Sequence, residues 1–466
     1  MEKPLILDYG TVSFRVGRAG DKNPSFLVPP VIGKPLMRDS KGEICGFNGG
    51  CGSNPLEYTI FPLNPRDKHD NVVPIPAITY GNNGFEVDEK VLERMLDGCM
   101  GVKGMDEGLH EASVIVSEPS LHNTKFRETF AEILSETFKV ENLFLCKRSA
   151  LTCYASASTS GIVVDVGGSS TNISPVVEGY TIQESVREEP IGGSLIDCIF
   201  YSYLSSIGIT IRPSYEYCKS STAENASAET DKTQKDSEVK NVTIRKLPFV
   251  HADYYRWSTL YSTSVLKETC IIFNDSINIV PPTDQSYCFA LPDGNFLDVE
   301  QSKSLCGIFC SCIFNQKKFL NAKNDLDKIK LSKPAFGSNS DDLNLESILG
   351  KSSGLSNMLI DSWNSLSSVG SGVDLIGIYD RIIFTGGCTR HPALVPILQR
   401  DFDGFLKTNK SEYYPTYMSI GGNEQQYSSF IGASILASLG GFGNFCISRA
   451  DIQEHGTIRS LNRKCP

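Results

Sequence analysis

The sequence has no long apolar run, no excess of basic residues and no Cys-x-x-Cys pair. Its longest apolar-leaning stretch, residues 430 to 442, is shorter than the roughly 18 apolar residues that indicate a transmembrane helix, so it is predicted to form a core helix. The 54 acidic residues outnumber the 44 basic ones, and the resulting net charge of −10 disfavours direct binding to a nucleic-acid backbone. Because no apolar signal segment stands near the first residues, we expect a soluble intracellular protein without a membrane partner.

Fifteen cysteines are present, but none forms a Cys-x-x-Cys pair. The tightest cluster, Cys306, Cys310 and Cys312, lacks the spacing of zinc ligands and a nearby histidine. We therefore expect buried, reduced thiols and not a metal site. With 466 residues, of which 40% are hydrophobic, the chain is long enough for two or more domains, each with its own core.

Two segments far apart in the chain share one pattern, an apolar strand that ends in aspartate, glycine and hydroxyl residues. They are residues 5 to 11 (LILDYGT) and 162 to 170 (IVVDVGGSS). The glycines allow a tight turn where an anion can approach backbone N–H groups, and Asp8 and Asp165 could face a divalent cation. Either aspartate could instead cap its own turn. As a pair, the segments favour a clamp that holds a polyphosphate and its Mg²⁺ from two sides.

A third strand, residues 381 to 385, runs into Gly386 and Gly387, and a helix is predicted over residues 391 to 402. Free N–H groups and the positive end of a helix dipole suit a phosphate, or close packing under a base. Taken alone, such a glycine pair is better explained by packing. Three elements of this type in one chain favour a nucleotide site.

The strand, turn and strand order at the start of the chain begins again at Gly161, so the fold is predicted to be duplicated. Residues 34 to 83 are rich in Gly, Asn and Pro and predict an irregular arm, and two strongly polar stretches predict surface inserts at about 219 to 241 and 321 to 346. We divide the chain into a first half (1–150), a second half (151–430) and a C-terminal segment that returns to the first half (431–466).

Together, several motifs resemble actin and the actin-related proteins over nearly the whole chain outside the arm and inserts. They are DYGTVSFRVGRAG, GIVVDVGGSSTNISPVVEGY, IGGSLID, FALPDG, IIFTGGCTRHP, YSSFIGASILASL and RKCP. The resemblance implies an α/β actin-like ATPase fold, in which two duplicated RNase-H-like domains enclose a cleft for ATP or ADP with Mg²⁺ or Ca²⁺. Within the family, the chain looks most like the nuclear actin-related proteins, of the fourth class.

The resemblance also implies, position by position, which residues bind the nucleotide. Arg15 stands at the family's phosphate-contacting lysine, and Asp8 and Asp165 would hold the metal through water. Gln426 stands at the lysine near the adenine, and His391 is either a ligand contact or an exposed residue. The full nucleotide-binding set is Asp8, Gly10, Thr11, Val12, Ser13, Arg15, Asp165, Gly167, Gly168, Ser169, Ser170, Gly192, Lys267, Glu268, Gly386, Gly387, Cys388 and Arg390.

Four departures from the family pattern bear on catalysis. Val12 replaces a glycine of the first loop, and Gly168 replaces a second aspartate near the metal. Arg148 stands where actin has the glutamine that positions the attacking water, and Asn172 where it has the assisting histidine. Because phosphoryl transfer depends on positioning, we expect no catalytic residues and little or no hydrolysis. Alternatively, Arg148 stabilises the γ-phosphate, which favours tight holding over turnover.

The resemblance implies a nuclear, non-catalytic subunit of chromatin-remodelling or histone acetyltransferase complexes. Its partners would be actin or another actin-related protein, a helical segment of a remodelling ATPase or acetyltransferase scaffold, and chromatin through the complex. The altered arm predicts poor self-polymerisation. A divergent cytoskeletal ATPase that forms or caps filaments is the alternative, and a sugar kinase or chaperone of the wider superfamily is a third possibility.

Overall fold

The computed structural model describes residues 3–36, 59–81, 84–100, 108–219, 242–273, 287–291, 296–314, 350, 352–366 and 376–465. Both predicted inserts, apart from Lys219 at the edge of the first, lie outside the described residues, as do residues 37–58 of the predicted arm.

The first half is built on a mixed sheet whose central strand is an apolar run with all five residues buried. Its strands are β1 (Leu5–Tyr9), β2 (Phe14–Arg18), β3 (Phe26–Val28), β4 (Val31–Pro35), β5 (Val72–Pro76), β6 (Ile78–Gly81), β7 (Gly84–Val87), β8 (Ser113–Glu118) and β9 (Asn142–Lys147). Its helices are α1 (Glu89–Met100), α2 (Thr124–Glu132), which continues as a π-helical turn at Ile133–Thr137, and α3 (Arg148–Ala155). The sheet order is β9-β8-β1-β2-β3, with β1, β8 and β9 parallel and β2 antiparallel to β1.

The second half contains another mixed sheet. Its strands are β10 (Gly161–Val166), β11 (Thr171–Val177), β12 (Tyr180–Thr181), β13 (Arg187–Glu189), β14 (Tyr217–Lys219), β15 (Val242–Ile244), β16 (Tyr287–Ala290), β17 (Phe296–Asp298), β18 (Arg381–Thr385) and β19 (Thr416–Ser419). Its helices are α4 (Gly193–Ser206), α5 (Ala252–Phe273), α6 (Val299–Phe314), α7 (Leu355–Leu366), α8 (Ile376–Tyr379) and α9 (Leu394–Thr408), with 3₁₀ turns at Gln183–Ser185, Ser214–Glu216, Gly387–Arg390 and Gly422–Tyr427. The sheet order is β12-β11-β10-β18-β19, and β13 also pairs with β11.

The two sheets repeat one arrangement. In each, an antiparallel hairpin (β1–β2 or β10–β11) is followed along the sheet by two parallel strands (β8 and β9, or β18 and β19). The turn of each hairpin is one of the predicted aspartate and glycine loops. The duplicated α/β fold expected from the sequence is confirmed.

The last elements lie on the first half. They are α10 (Ser428–Ala437), α11 (Phe442–Phe445), β20 (Ile447–Ser448), α12 (Arg449–His455) and α13 (Thr457–Lys464). β20 pairs with β9, and the apolar face of α10, with Phe430 and Ala433, packs against Ile6, Ile115 and Leu151. The run at residues 430 to 442 therefore starts in a core helix, as predicted. Among the described helices, none has the length and apolar character needed to cross a membrane.

Two local expectations differ from the structure. Part of the arm predicted to be irregular forms β5 and β6, since the alternating apolar residues of β5 pair with β4 although Pro74 and Pro76 interrupt the run. A two-stranded ribbon has unpaired edges that tolerate proline. The helix expected from residue 391 begins at Leu394, because the chain first forms the 3₁₀ turn at Gly387–Arg390.

Candidate functional site

The two hairpin loops face each other across one cavity. The start of α4, the middle of α5 and the turn after β18 complete its wall. Asp8 lies behind the wall beneath Arg15, and Gly192 lies behind Gly168. The structure thus brings the predicted residues together, while their role stays a prediction. Those that line the cavity are Gly10, Thr11, Val12, Ser13, Arg15, Asp165, Gly167, Gly168, Ser169, Ser170, Lys267, Glu268, Gly386, Gly387, Cys388 and Arg390.

The first loop fixes Asp8 in a fully buried position. The register of the hairpin places Asp8 opposite Arg15, whose Nη1 lies 2.6 Å from Oδ2 of the carboxylate. Ser429 donates to the same oxygen at 2.9 Å, and Ser117 donates to Oδ1. Burial alone would raise the pKa of Asp8, but Arg15, Arg148 and the Ser117 hydroxyl outweigh it and hold that pKa below its ordinary value.

In the second loop, nearby positive charge offsets the burial of the Asp165 carboxylate less completely. The nearest cation is Arg148, the first residue of α3, whose Nη1 lies 4.0 Å from Oδ2 of Asp165. Burial raises the pKa of Asp165 above its ordinary value, and Arg148 and Arg15 reverse only part of that effect. Arg148 also donates to the carbonyl oxygen of Tyr9. Its guanidinium therefore contacts the first half and faces the aspartate of the second.

The loops also contact each other directly. Ser169 Oγ donates to Thr11 Oγ1 at 2.7 Å. A Cβ on Gly168 would lie 2.3 Å from Cγ2 of Val12, which is closer than real atoms approach. Two of the departures from the family pattern are thus in contact, because a side chain at position 168 would require Val12 to change its rotamer or the loops to move apart.

Backbone donors remain available in both loops. Within the part of the chain that the structure describes, the N–H groups of Thr11, Val12, Gly168 and Ser169 make no hydrogen bond. The second loop is held in place by α4, since Gly193 and Ser194 donate to the carbonyl oxygens of Gly167 and Gly168 at 2.9 and 2.7 Å. Free N–H groups on facing loops, with Arg15 and Arg148 beside them, fit a polyphosphate.

At the other end of the cavity, Lys267 is already paired. Its Nζ lies 2.7 Å from Asp197 and donates to the carbonyl oxygen of Gly193 at 3.0 Å. Burial would lower the pKa of Lys267, but Asp197 raises it above its ordinary value, so the ammonium stays charged. Asp197 was not predicted from the sequence as part of the site, although it lies in the IGGSLID motif. Phe85 and Phe309 also lie in the cavity wall and are marked by no motif.

His391 lines the cavity but is only 5% exposed, so the exposed alternative is wrong. Its ring stacks on Phe309 with centroids 4.4 Å apart, and its Nδ1 accepts from the N–H of Ala393. Burial lowers the pKa of His391 to about 4, so the ring is neutral at neutral pH and carries its proton on Nε2. This buried Nε2 makes no hydrogen bond within the described residues.

A divalent cation fits this site poorly. Among the described residues, no group of three or more His, Cys, Asp or Glu side chains could hold a metal ion. Both oxygens of Asp8 are committed to protein donors, one of them to a cation, and Gly168 supplies no carboxylate. A metal held through water by Asp8 and Asp165 stays a prediction, and the donor set does not favour it.

Comparison with known proteins gives one consistent result. A family model described as Actin matches residues 1–466. Proteins named Actin-related protein 4 from Oryza sativa subsp. indica and from Arabidopsis thaliana are 27% and 26% identical to this chain, over 99% of it and 98% of their own lengths. A protein named Putative actin-29 from Dictyostelium discoideum is 23% identical over 99% of this chain and 96% of its own.

Proposed function

The chain belongs to the actin family, and from that premise we propose that it is a non-catalytic nuclear subunit that scaffolds chromatin-remodelling or histone acetyltransferase complexes. It is an actin-related protein similar to those named Actin-related protein 4. Proteins of the family typically bind a nucleotide and a divalent metal ion. In this chain, ATP or ADP would act as a structural ligand that joins the two halves.

The observation that carries the non-catalytic part of the proposal is the position of Arg148. Its guanidinium is engaged with Tyr9 and faces Asp165, so it cannot orient a water molecule as an acceptor group would. Asn172 offers no substitute, because it is buried, accepts from Ser174 and is not among the residues that line the cavity. Hydrolysis requires a positioned nucleophile, so these contacts favour holding over turnover.

The residues of the cavity fit a nucleotide in two parts. The free N–H groups of the facing loops, with Arg15, would hold the phosphates, while Lys267, Glu268 and the turn from Gly386 to Cys388 would contact the adenosine. The bound nucleotide would supply negative charge and contacts shared by both halves.

The partners we propose are actin or another actin-related protein, a helical segment of a remodelling ATPase or acetyltransferase scaffold, and chromatin through the complex. Ile435, Leu439 and Phe445 lie in one short stretch and are each about half exposed, which would suit an apolar helix face. We propose that the chain does not self-polymerise.

Affinity purification of the tagged full-length chain from nuclear and cytoplasmic fractions tests this function. We expect recovery from nuclei with a remodelling ATPase or an acetyltransferase. The same preparation should release no phosphate above the blank in a single-turnover assay in which actin does, and the Arg148→Gln/Asn172→His variant serves as the matched comparison. Recovery with cytoskeletal partners alone, or sedimentation as filaments in polymerising salt, would overturn the proposal in favour of the filament-forming alternative.

A further inference from the structure

The phosphate end of the cavity already contains two fixed cations. Arg15 and Arg148 carry two positive charges beside the two carboxylates, Asp8 and Asp165. The remaining charged groups of the wall lie elsewhere, with Lys267 paired to Asp197, and with Glu268 and Arg390 on other elements. This end of the wall therefore has no net negative charge that would repel a polyphosphate entering between the loops.

The oxygen ligands that Asp8 could offer an ion are occupied, and Asp165 faces a guanidinium 4.0 Å away. Mg²⁺ in proteins is held by one or two carboxylates with phosphate and water oxygens. One oxygen of Asp8 accepts a hydrogen bond from Ser117, and the other accepts from Arg15 and Ser429. Asp165 faces Arg148. An ion bound to Asp8 would have to displace Arg15, and an ion near Asp165 would meet the positive charge of Arg148.

Two of the substitutions each make the charge of the site more positive by one. Relative to the residues that the resemblance to actin implies at these positions, Gly168 removes one negative charge and Arg148 adds one positive charge. Their sum equals the charge of one divalent cation. A side chain at position 168 would also contact Val12, because a Cβ there would lie 2.3 Å from the present position of Cγ2 of Val12.

On the basis of the proposed nucleotide site, we propose that this cleft binds a nucleoside polyphosphate without a divalent cation, and that Arg15 and Arg148 take the place of the ion. A guanidinium group can pair directly with phosphate oxygens through two parallel N–H groups. No metal-bound water is needed between them. Arg15 and Arg148 are then the residues that set the preference for metal-free ligand.

Equilibrium binding of ATP to the full-length chain tests this inference, measured in excess EDTA and again in excess Mg²⁺. We expect the Kd in EDTA to lie within about fivefold of that in Mg²⁺, or to be tighter. Weakening in EDTA beyond about fivefold would overturn metal independence while leaving the nucleotide site intact. Absence of binding in both buffers would instead overturn the proposed nucleotide site, and this inference with it.

A pair of variants assigns the effect to a residue. Arg148→Lys keeps the positive charge and should still bind ATP in EDTA, whereas Arg148→Gln should lose at least about tenfold in EDTA and regain affinity with Mg²⁺. Equal behaviour of the two variants would contradict the role given to the charge of Arg148. Because the wild-type titration decides the main point, a variant that fails to fold leaves the inference falsifiable.

Discussion

The two loops that face each other in the cleft have the same backbone and different electrostatics. Each follows a buried strand, turns at glycine and begins an antiparallel partner strand. Asp8 is satisfied by an arginine and two hydroxyls and has a lowered pKa, whereas Asp165 is held at 4.0 Å by one arginine and has a raised pKa. The first aspartate thus stabilises the fold, while the charge of the second would interact electrostatically with a bound ligand.

Removing each carboxylate charge in turn should give the largest difference between the loops. Asp8→Asn leaves Arg15, only 13% exposed, without its anion, and we expect a loss of about 3 to 5 kcal/mol in the free energy of unfolding. Asp165→Asn removes a charge that burial already disfavours, so its cost should stay within about 1 kcal/mol. Urea unfolding at neutral pH measures both, and equal losses would contradict the asymmetry.

The sequence predicted the strands of these loops because their signals are local. The apolar runs before Asp8, Asp165 and Gly386 give the strand, and glycine gives the turn. The contacts that distinguish the two aspartates are not local, since the hydroxyls on Asp8 come from Ser117 and Ser429. No pattern in one sequence shows that these serines reach the end of β1.

Other features of the site escaped prediction for the same reason. His391 precedes a proline, as exposed residues often do, and its burial depends on Phe309 from another helix. Asp197 is paired with Lys267 through the packing of α4 on α5. The contact between Val12 and Gly168 could be suspected from two departures in facing loops, but only the structure shows that a Cβ at position 168 would collide with Val12.

A second pair of variants compares how closely each loop is packed, and we expect smaller changes in the free energy of unfolding. A Cβ on Gly192 would lie 2.5 Å from the carbonyl oxygen of Gly168 and 2.8 Å from the nitrogen of Ser169, whereas a Cβ on Gly10 would lie 3.1 Å from the carbonyl oxygen of Ser13. Gly192→Ala must therefore displace the second loop and should cost about 1 to 3 kcal/mol of unfolding free energy. Gly10→Ala, the matched control, should cost less than about 1 kcal/mol. A larger loss in Gly10→Ala would show that the first loop is the more tightly constrained.

The most gradual expected effect concerns pH, and the residue behind it lies beside the second loop. Ser170 donates to Glu188 at 3.0 Å, and burial raises the pKa of Glu188 from 4.5 to about 7, with Arg148 opposing and Asp165 adding to the shift. Because the folded state keeps this proton longer than the unfolded chain does, stability should fall as the pH rises from 4.5 to about 7. Asp8 has the opposite sign, since its lowered pKa gives stability above its ordinary pKa that is lost in acid.

Glu188→Gln should remove roughly 1 kcal/mol of that fall for each pH unit, while the exposed Glu184→Gln controls for the loss of one charge. Unfolding free energies measured from pH 4.5 to 7 test this. If Glu188→Gln and the wild type keep the same slope, the raised pKa of Glu188 is not what links the second loop to pH. If the slope disappears in Glu188→Gln, the dependence of stability on pH originates beside the second loop. The first loop does not contribute to it, because the lowered pKa of Asp8 keeps that carboxylate ionised in this range.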